Sequence, residues 1–277
     1  MPEAELLTEH YTHGNLTEAI ESGLRKAGKA IDDVTIDDLA PVDEFHVGGR
    51  VASVHFFDQL QIAQQHRVLD VGCGLGGGAR FAASQYGCAV TGVDLTAEYI
   101  ATGNALCQWV GLEDKVALHV GDATALTFED GSFDRIYMMH VGMNVADKHA
   151  LIAALSRLLR PGGLLGIYDI MRTGPGAQSF PVPWASVSAG SEVAPIETYQ
   201  KAIKAAALTL LAEQDRREFA LAFFEKLRAR ASRTGGPPPL GLHIVMGERQ
   251  AEKIRNLVAD ITQRVLAPVE LIARKDD

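Results

Sequence analysis

The sequence predicts an α/β protein built on a doubly wound, mostly parallel β-sheet with helices on both faces. Three observations predict this fold class. From residue 67 onward, short β-branched segments alternate with helical segments, the first β-branched segment ends in a cluster of glycines, and acidic residues recur at the ends of the first three. Strands separated by helices of this length form right-handed βαβ units, in which consecutive strands run parallel.

Residues 1–66 are expected to form an N-terminal helical cap. Leu16 and Leu24 belong to a set of apolar residues at helical spacing, which predicts an amphipathic helix, and Asn15 or Thr17 can cap its start. The predicted elements of this part are a helix over 15–30, an extended acidic stretch over 31–50 and a second helix over 51–64.

Residues 67–172 are expected to form the core of the sheet. The last helix of this core is strongly periodic and is expected to stop at Pro161, which Gly162 and Gly163 follow. The predicted strands are 67–72, 88–96, 115–123, 132–140 and 164–171, and the predicted helices are 78–87, 97–112 and 146–160.

Residues 173–277 are expected to add further helices and the last two strands of the same sheet, with the final strand antiparallel. Residues 173–190 are rich in glycine, proline and serine, which predicts a long ordered loop inserted as a lid. The predicted elements that follow are helices over 197–207, 217–235 and 247–266 and strands over 208–214 and 268–275.

Composition limits the classes of function. The chain has 277 residues, a formal net charge of -9 and a pI of about 5.5. Such an acidic protein is poorly suited to nucleic acid or to an anionic membrane surface, so neither is expected as a partner, whereas a small-molecule substrate is. The N-terminal residues lack a signal-peptide pattern and no apolar run reaches the ~20 residues of a membrane span, so a cytoplasmic location is expected. Apolar residues on the last helices leave a homodimer possible.

The cysteines point to a reduced protein without a metal site. Cys73, Cys88 and Cys107 are odd in number, contain no CxxC pair and lie among small or apolar residues. They are therefore expected to be buried free thiols, and neither a disulfide framework nor a metal site is expected.

The glycine-rich turn after the first strand carries the main functional signal. Gly72, Gly74 and Gly77 match the GxGxxG pattern of dinucleotide-binding enzymes, and Asp94 stands where such an enzyme would bind ribose hydroxyls. Asp70 argues against that interpretation. A pyrophosphate gains nothing from a carboxylate beside the turn, whereas a cationic ligand without phosphate does.

Two further acids strengthen the case for a cationic nucleoside ligand. Asp94 can accept hydrogen bonds from both ribose hydroxyls, and Asp122, after the third strand, can accept one from an adenine amino group. Asp70, Asp94 and Asp122 would then line one crevice. Each alone could equally be an ordinary turn or cap aspartate, but three in register favour a binding site for S-adenosylmethionine.

With these motifs the chain resembles the class I S-adenosylmethionine-dependent methyltransferases, which have a Rossmann-like fold. Within them it is similar to sarcosine/dimethylglycine N-methyltransferases and to ubiquinone- and tocopherol-type C-methyltransferases. The resemblance covers about residues 40–190. The matching segments are FHVGGR (45–50), VLDVGCGLGG (68–77), VTGVDLT (90–96), the stretch 120–144, LLRPGG (158–163) and FPVPWA (180–185). The chain departs from the family after that point, since KAAALTLLAEQDR stands where the family commonly has a Gly-Phe pair, and the substrate is therefore not carried over.

The resemblance implies a set of cofactor-binding residues. Asp70, Gly72, Cys73 and Gly74 would shape the methionine pocket, Asp94 and Leu95 the ribose site, and Gly121, Asp122 and Ala123 the adenine site. The FHVGGR segment would fold over the cofactor, with Gly49 or Arg50 near the methionyl carboxylate, although Arg50 could instead be a surface residue.

Candidates for the acceptor side follow the fourth strand and lie in the lid. His140 could serve as a catalytic base beside the cofactor, or it could be a hydrogen-bonded residue that only positions its loop. Asn144 and Tyr11 are candidate substrate contacts. Phe180 and Trp184 could form an aromatic wall over the acceptor, or Trp184 could anchor the lid.

The expected function is methyl transfer from S-adenosylmethionine to a small molecule. The sarcosine-type resemblance favours an amine nitrogen as acceptor, with a C- or O-methyltransferase of a quinone, phenol or natural product as the alternative. A nicotinamide-dependent oxidoreductase and a non-methylating cyclase on the same fold are further alternatives. The sequence leaves the acceptor, the pathway and the oligomeric state undetermined.

Overall fold

A computed structural model describes residues 8, 10–12, 14–234 and 238–276 of the chain. Within them a seven-stranded sheet has the order β3-β2-β1-β4-β5-β7-β6. The strands are β1 (Arg67–Val71), β2 (Ala89–Asp94), β3 (Val116–Val120), β4 (Phe133–Met139), β5 (Leu159–Arg172), β6 (Leu208–Asp215) and β7 (Leu266–Lys275). All pairs among β1 to β5 are parallel, and β7 runs antiparallel to both of its neighbours. The predicted sheet with an antiparallel last strand is confirmed.

Helices surround this sheet and cover its ends. They are α1 (Leu16–Lys26), α2 (Ile36–Asp43), α3 (Gly49–Leu60), α4 (Gly77–Tyr86), α5 (Ala97–Trp109), α6 (Lys148–Leu158), α7 (Ile196–Ala205), α8 (Arg217–Thr234), α9 (His243–Met246) and α10 (Gln250–Thr262). No helix among the described residues is both long and apolar enough to span a bilayer.

Alternation along the strands builds two cores, one on each face of the sheet. On one face, residues such as Leu69 and Ile136 pack against Leu151 of α6 and Ile203 of α7. On the other, Val68 and its neighbours pack against α3, α4 and α5. Because side chains alternate between faces along a strand, consecutive residues of β1 serve both cores, which explains its almost continuously apolar sequence.

The strand order places a crevice at one edge of the sheet. β1 lies between β2 and β4, so the connection that leaves β1 and the one that leaves β4 go to opposite sides. Such a point of reversal opens a crevice at the carboxyl ends of parallel strands, where α/β proteins bind ligands. Asp70, Asp94 and His140 all lie at or next to these carboxyl ends.

The region before β1 differs from the sequence prediction. Residues 31–50 were expected to be extended, but they contain a short 3-10 helix at Ile31–Asp33 and the helix α2. Thr35 and Asp38 form a capping box at the start of α2, with reciprocal side-chain to backbone bonds. The acidic run therefore contains the start of a helix, because the carboxylate of Asp38 and the hydroxyl of Thr35 satisfy two free backbone N–H groups.

Other differences concern the ends of elements. The first helix ends at Lys26 rather than at residue 30, and α3 starts two residues earlier than predicted, at Gly49. The helix before Pro161 ends at Leu158, and β5 already begins at Leu159. The division into residues 1–66, 67–172 and 173–277 remains a prediction. The helix predicted over 217–235 is described up to Thr234, and Gly235 lies outside the described residues.

A buried ion pair connects α2 to the glycine turn. Nη2 of Arg80 donates to Oδ1 of Asp43 at 2.6 Å, and both side chains are almost completely buried. Nη1 of Arg80 also donates to the carbonyls of Leu75, at 2.7 Å, and of Gly103. Since Leu75 belongs to the turn, Arg80 fixes the conformation of the turn from behind.

Candidate active site

A cavity of about 800 Å³ opens at the carboxyl ends of the parallel strands, within the range typical of small-molecule sites. Most of the predicted cofactor residues line it. They are Asp70, Gly72, Cys73, Gly74, Asp94, Leu95, Gly121, Asp122, Ala123 and His140. Of the predicted substrate residues, Tyr11, Asn144 and Trp184 also line it. Gly49, Arg50 and Phe180 do not belong to its wall.

The glycine turn is folded so that most positions exclude a side chain. Gly72 has a φ of 67°, and a Cβ added there would overlap the side chain of Val141. At Gly74, whose φ is 54°, a Cβ would meet only the ring of Tyr99, at 3.8 Å. The backbone at Gly74 thus faces open space, where a ligand can approach closely.

Asp94 holds this turn from the end of β2. Its Oδ2 accepts a hydrogen bond from the Gly74 N–H at 2.9 Å, and its Oδ1 accepts one from the Thr96 N–H at 2.8 Å. Each carboxylate oxygen can accept more than one hydrogen bond. Asp94 can therefore keep the turn in place and still receive hydroxyl groups from a ligand.

Asp70 is a buried carboxylate with little local positive charge. It is 4% exposed, and burial raises its pKa to about 7, an effect that Asp94 increases and that Tyr137, the Ala79 N–H and Arg80 only partly oppose. A carboxylate in this position gains most from a cation that enters the cavity.

The third strand end is more open. Asp122 is exposed, and its Oδ1 accepts from both the N–H and the hydroxyl of Thr124, at 2.8 and 2.7 Å. Asp122 thus caps its own turn, which is the alternative that the sequence left open for this aspartate. It also lines the cavity. Gly121 and Ala123 border it on the wall.

The expectation of a catalytic base at His140 does not fit its hydrogen bonds. Nδ1 lies 3.1 Å from the carbonyl of Tyr168, and Nε2 accepts from the N–H of Val47 at 3.2 Å. A carbonyl can only accept and an amide N–H can only donate, so the proton is on Nδ1 and both nitrogens are occupied. Burial and the nearby His46 lower the pKa of His140 to about 3. The alternative interpretation, a residue that positions its loop, fits better.

Gly49 and Arg50 were expected near the methionyl carboxylate, and the structure places both outside the cavity wall. The guanidinium of Arg50 pairs with Glu44 and with Asp37 and lies over the ring of Phe81, with 4.5 Å between its Cζ and the ring centroid. The buried carboxylate of Glu44 thus binds the side chain of Arg50. The carbonyl of Gly49 accepts a hydrogen bond from Nε2 of His46, in the same FHVGGR segment.

The FHVGGR segment is nevertheless part of the site, through His46 and Val47, which line the cavity. The buried hydroxyl of Tyr168 donates to the Val47 carbonyl at 2.9 Å. Gly48, with a φ of 99°, lies so close to Phe219 of α8 that a Cβ would overlap its ring. Glycine is therefore required here for the close approach of α8.

Two predicted substrate contacts are occupied by structural bonds or neighbours. The amide nitrogen of Asn144 donates to the carbonyls of Trp184 and Gly190, at 3.2 and 3.4 Å, and so holds the lid. Tyr11 packs at 5.8 Å from the ring of Tyr99, and burial raises the pKa of its hydroxyl.

The lid is anchored by its tryptophan. Trp184 is 2% exposed, and its indole Nε1 donates to the hydroxyl of Ser191 at 2.9 Å. It also lines the cavity, so the wall and the anchor are the same residue. Phe180 packs in the apolar cluster beneath the lid instead of facing the cavity, which corrects the expectation that it forms part of the wall.

The rest of the cavity is an apolar chamber formed by the lid and by α8, α9 and α10. Its wall includes Trp184, Phe223, Phe224, Val245, Met246, Leu257 and Val258. Of these residues sequence reasoning identified only Trp184, because nothing in a helical apolar pattern distinguishes a cavity wall from a packed core.

The residues present fit S-adenosylmethionine. The open face of Gly74 leaves room for a ligand against the backbone, Asp94 offers acceptors for ribose hydroxyls, and the buried Asp70 suits an ammonium or sulfonium group. A phosphate-bearing dinucleotide would instead meet the Asp70 carboxylate.

Comparison with known proteins finds methyltransferases among the similar sequences. Residues 69–167 match the family model described as a methyltransferase domain. The chain is 29% identical to "Methyltransferase GfsG" of Streptomyces halstedii over an aligned segment of 177 residues. That segment covers 63% of this chain and 64% of that protein. The chain is 31% identical to "Phosphoethanolamine N-methyltransferase 1" of Zea mays over 179 residues, and this segment covers 65% of this chain and 35% of that protein. The chain thus spans less than two thirds of the length of these relatives.

A solved structure shares the whole fold. Geranyl diphosphate C-methyltransferase from Streptomyces coelicolor A3(2), crystallised with S-adenosyl-L-homocysteine, superposes with a TM-score of 0.73 at 20% identity, over 99% of this chain and 98% of that one. Over residues 69–167 the chain is thus similar to methyltransferase domains, and its whole fold is shared with a solved methyltransferase structure.

Proposed function

We propose that this chain, whose residues 69–167 match a methyltransferase domain, transfers a methyl group from S-adenosylmethionine to a small-molecule acceptor bound in the apolar chamber. One observation carries this proposal. The strand-end carboxylates and the apolar chamber belong to a single cavity, so a cofactor at one end and an acceptor at the other would lie in one continuous space.

The residues of this chain would divide the work as follows. Asp70 and the turn at Gly72–Gly74 would hold the methionine part of the cofactor, Asp94 and Leu95 the ribose, and Asp122 and Ala123 the adenine. When bound, the cofactor supplies an activated methyl group on a sulfonium. The protein then mainly aligns the two reactants and excludes water, which Trp184 and the helices around the chamber are placed to do.

The chamber wall bears on the class of acceptor. Most of its residues are aliphatic or aromatic, so the acceptor that fits is largely apolar away from its reacting atom. The resemblance to sarcosine-type enzymes favours an amine nitrogen as that atom. Relatives named as N-, O- and C-methyltransferases occur among the similar proteins, so oxygen and carbon acceptors belong in the same test.

The test uses S-adenosylmethionine with a labelled methyl group and a panel of acceptors. The panel should contain primary and secondary amines, phenols and prenylated compounds of graded apolar length. Label is expected in one apolar class together with release of S-adenosylhomocysteine. If the folded protein binds the cofactor and transfers no label to any class, the non-methylating alternative is favoured.

The pKa of Asp70 predicts how cofactor binding depends on pH. In the free protein this pKa is raised to about 7, so below pH 7 the carboxyl is mostly protonated. A cationic cofactor favours the ionised form, and binding below pH 7 must therefore release a proton. Affinity should rise from pH 5 to pH 7 and then level off.

Calorimetry in buffers of different ionisation enthalpy measures that proton release directly. Asp70→Asn should bind more weakly and lose the rise in affinity between pH 5 and pH 7. An affinity of the wild-type protein that does not change over this range would exclude Asp70 as the partner of the cationic group.

A further inference from the structure

The imidazole of His46 has hydrogen-bond acceptors near one of its two ring nitrogens, Nε2. Its Nε2 lies 3.1 Å from Oγ of Ser53, 3.3 Å from the carbonyl of Gly49 and 3.4 Å from Oε2 of Glu44. The hydroxyl proton of Ser53 is already donated to Oε2 of Glu44, at 2.6 Å. All three neighbours of Nε2 can thus only accept.

This arrangement fixes the tautomer of His46. A nitrogen that faces acceptors alone must carry the proton, so Nε2 is protonated and Nδ1 holds the free lone pair. Among the described residues Nδ1 has no hydrogen-bond partner, and the side chain is only 7% exposed while it lines the cavity. His46 therefore presents a free basic nitrogen in a buried position.

The neighbours of His46 in the chain place it between the two parts of the cavity. Phe45 packs with Tyr11 and with the cluster around Tyr99, beside the glycine turn. Val47 packs in the other cluster, with Trp184 and other residues of the apolar chamber. His46 thus lies where the cofactor end of the cavity meets the acceptor end.

The charges around His46 keep it neutral at pH 7. Burial lowers its pKa below the usual 6.5, with Arg50 acting in the same direction, while Glu44 and the Gly49 carbonyl oppose this. The ring centroids of His140 and Tyr168 each lie 6.2 Å from that of His46. A neutral imidazole oriented by a carboxylate is the usual form of a general base.

We propose that His46, oriented by Glu44, is the general base of the proposed methyl transfer and that the acceptor carries a proton on its nucleophilic oxygen or nitrogen. The inference rests on the proposed function. The nucleophilic atom of the acceptor forms a bond to the methyl carbon, and the carbon–sulfur bond breaks with its electron pair left on sulfur. The acceptor proton passes to Nδ1 of His46, and solvent removes it later.

The first test determines the tautomer of His46 and needs no methyl acceptor. Long-range ¹H–¹⁵N spectra of the histidine-labelled protein saturated with S-adenosylhomocysteine, assigned with His46→Gln, should show His46 protonated on Nε2 and His140 protonated on Nδ1 at pH 7. Nδ1 of His46 should titrate below pH 6.5. A proton on Nδ1 of His46 at pH 7 would overturn the proposal.

The second test uses the acceptor that the labelled-methyl panel identifies. His46→Ala should lower kcat by about 100-fold or more, with the Kd for S-adenosylmethionine within about twofold, and added imidazole should restore part of the rate. The exposed His149→Ala should leave kcat unchanged. Wild-type kcat should fall as Nδ1 becomes protonated below pH 6.5, and His46→Ala should lose this limb.

The two proposals fail in different ways. If the wild-type protein transfers no methyl group to any acceptor, the proposed function fails. If it does transfer, and His46→Ala retains its rate within about threefold, or the active acceptor is a carbon without an ionisable proton, the assignment of His46 fails while the methyltransferase remains.

Discussion

Arg80→Met is expected to destabilise the protein by about 3–5 kcal/mol, the usual cost of removing one partner from a buried ion pair. Asp43 would remain with its side chain only 1% exposed and no guanidinium beside it, and the carbonyls of Leu75 and Gly103 would lose their donor. Urea unfolding at pH 7 measures this loss. Because Leu75 belongs to the glycine turn, cofactor affinity should fall as well.

The pH dependence of this loss has a definite sign. Burial already raises the pKa of Asp43 to about 6 against the lowering effect of Arg80, so without Arg80 it must rise further. A carboxyl whose folded pKa exceeds its unfolded pKa of about 3.9 costs stability as pH rises between the two values. The wild-type protein loses the same stability up to about pH 6, so the deficit of Arg80→Met should grow as pH rises above about 6 and should be smaller at pH 5 than at pH 8.

A double variant is the matched control for Arg80→Met. Asp43→Asn combined with Arg80→Met removes both charges and should recover part of the lost stability, since the uncompensated carboxylate is gone. If the double variant is as unstable as the sum of the single variants, the pair is not coupled and the stabilising role of this contact is wrong.

Trp184→Ala should cost about 3–5 kcal/mol of unfolding free energy, because a buried indole is replaced by a cavity. Trp184 is 2% exposed and packs with residues from the lid, α8 and α10. The same change removes a wall of the apolar chamber, so KM for the acceptor should rise more than the Kd for the cofactor.

Trp184→Phe separates packing from hydrogen bonding at this position. It keeps a buried aromatic ring while it loses the indole N–H that reaches Ser191 at 2.9 Å and a smaller part of the apolar volume than alanine would. We expect a cost of about 1–2 kcal/mol, the range for a single buried hydrogen-bonding group. Equal destabilisation by the two substitutions would mean that packing of the indole does not anchor the lid.

Local pattern was enough to predict the sheet, since strands such as β1 and β4 are short apolar runs separated by helices. It was not enough for α2. The residues of the box, Thr35 and Asp38, are present in the sequence, but the segment was predicted to be an extended acidic stretch. Reciprocal capping decided the outcome, because it satisfies backbone N–H groups that an isolated acidic run does not.

The sequence predicted part of the candidate site, namely its carboxylates, and did not predict the roles of its histidines. Asp70, Asp94 and Asp122 could be placed from sequence because the carboxyl ends of parallel strands meet at one edge. The roles of His46 and His140 could not, since the bond between Val47 and His140 joins residues 93 positions apart. Which nitrogen stays free depends on such contacts, and no local pattern encodes them.

Calorimetric titration with S-adenosylmethionine is the most direct test of a methyltransferase site at these strand ends. The wild-type protein should bind one equivalent with a Kd of roughly micromolar order, about −8 kcal/mol, and should not bind NADH. Asp94→Ala should weaken binding by about 100-fold, since two charge-assisted hydrogen bonds to ribose are lost. A folded wild-type protein that binds NADH and not S-adenosylmethionine, or an Asp94→Ala variant with unchanged affinity, would contradict the site described above.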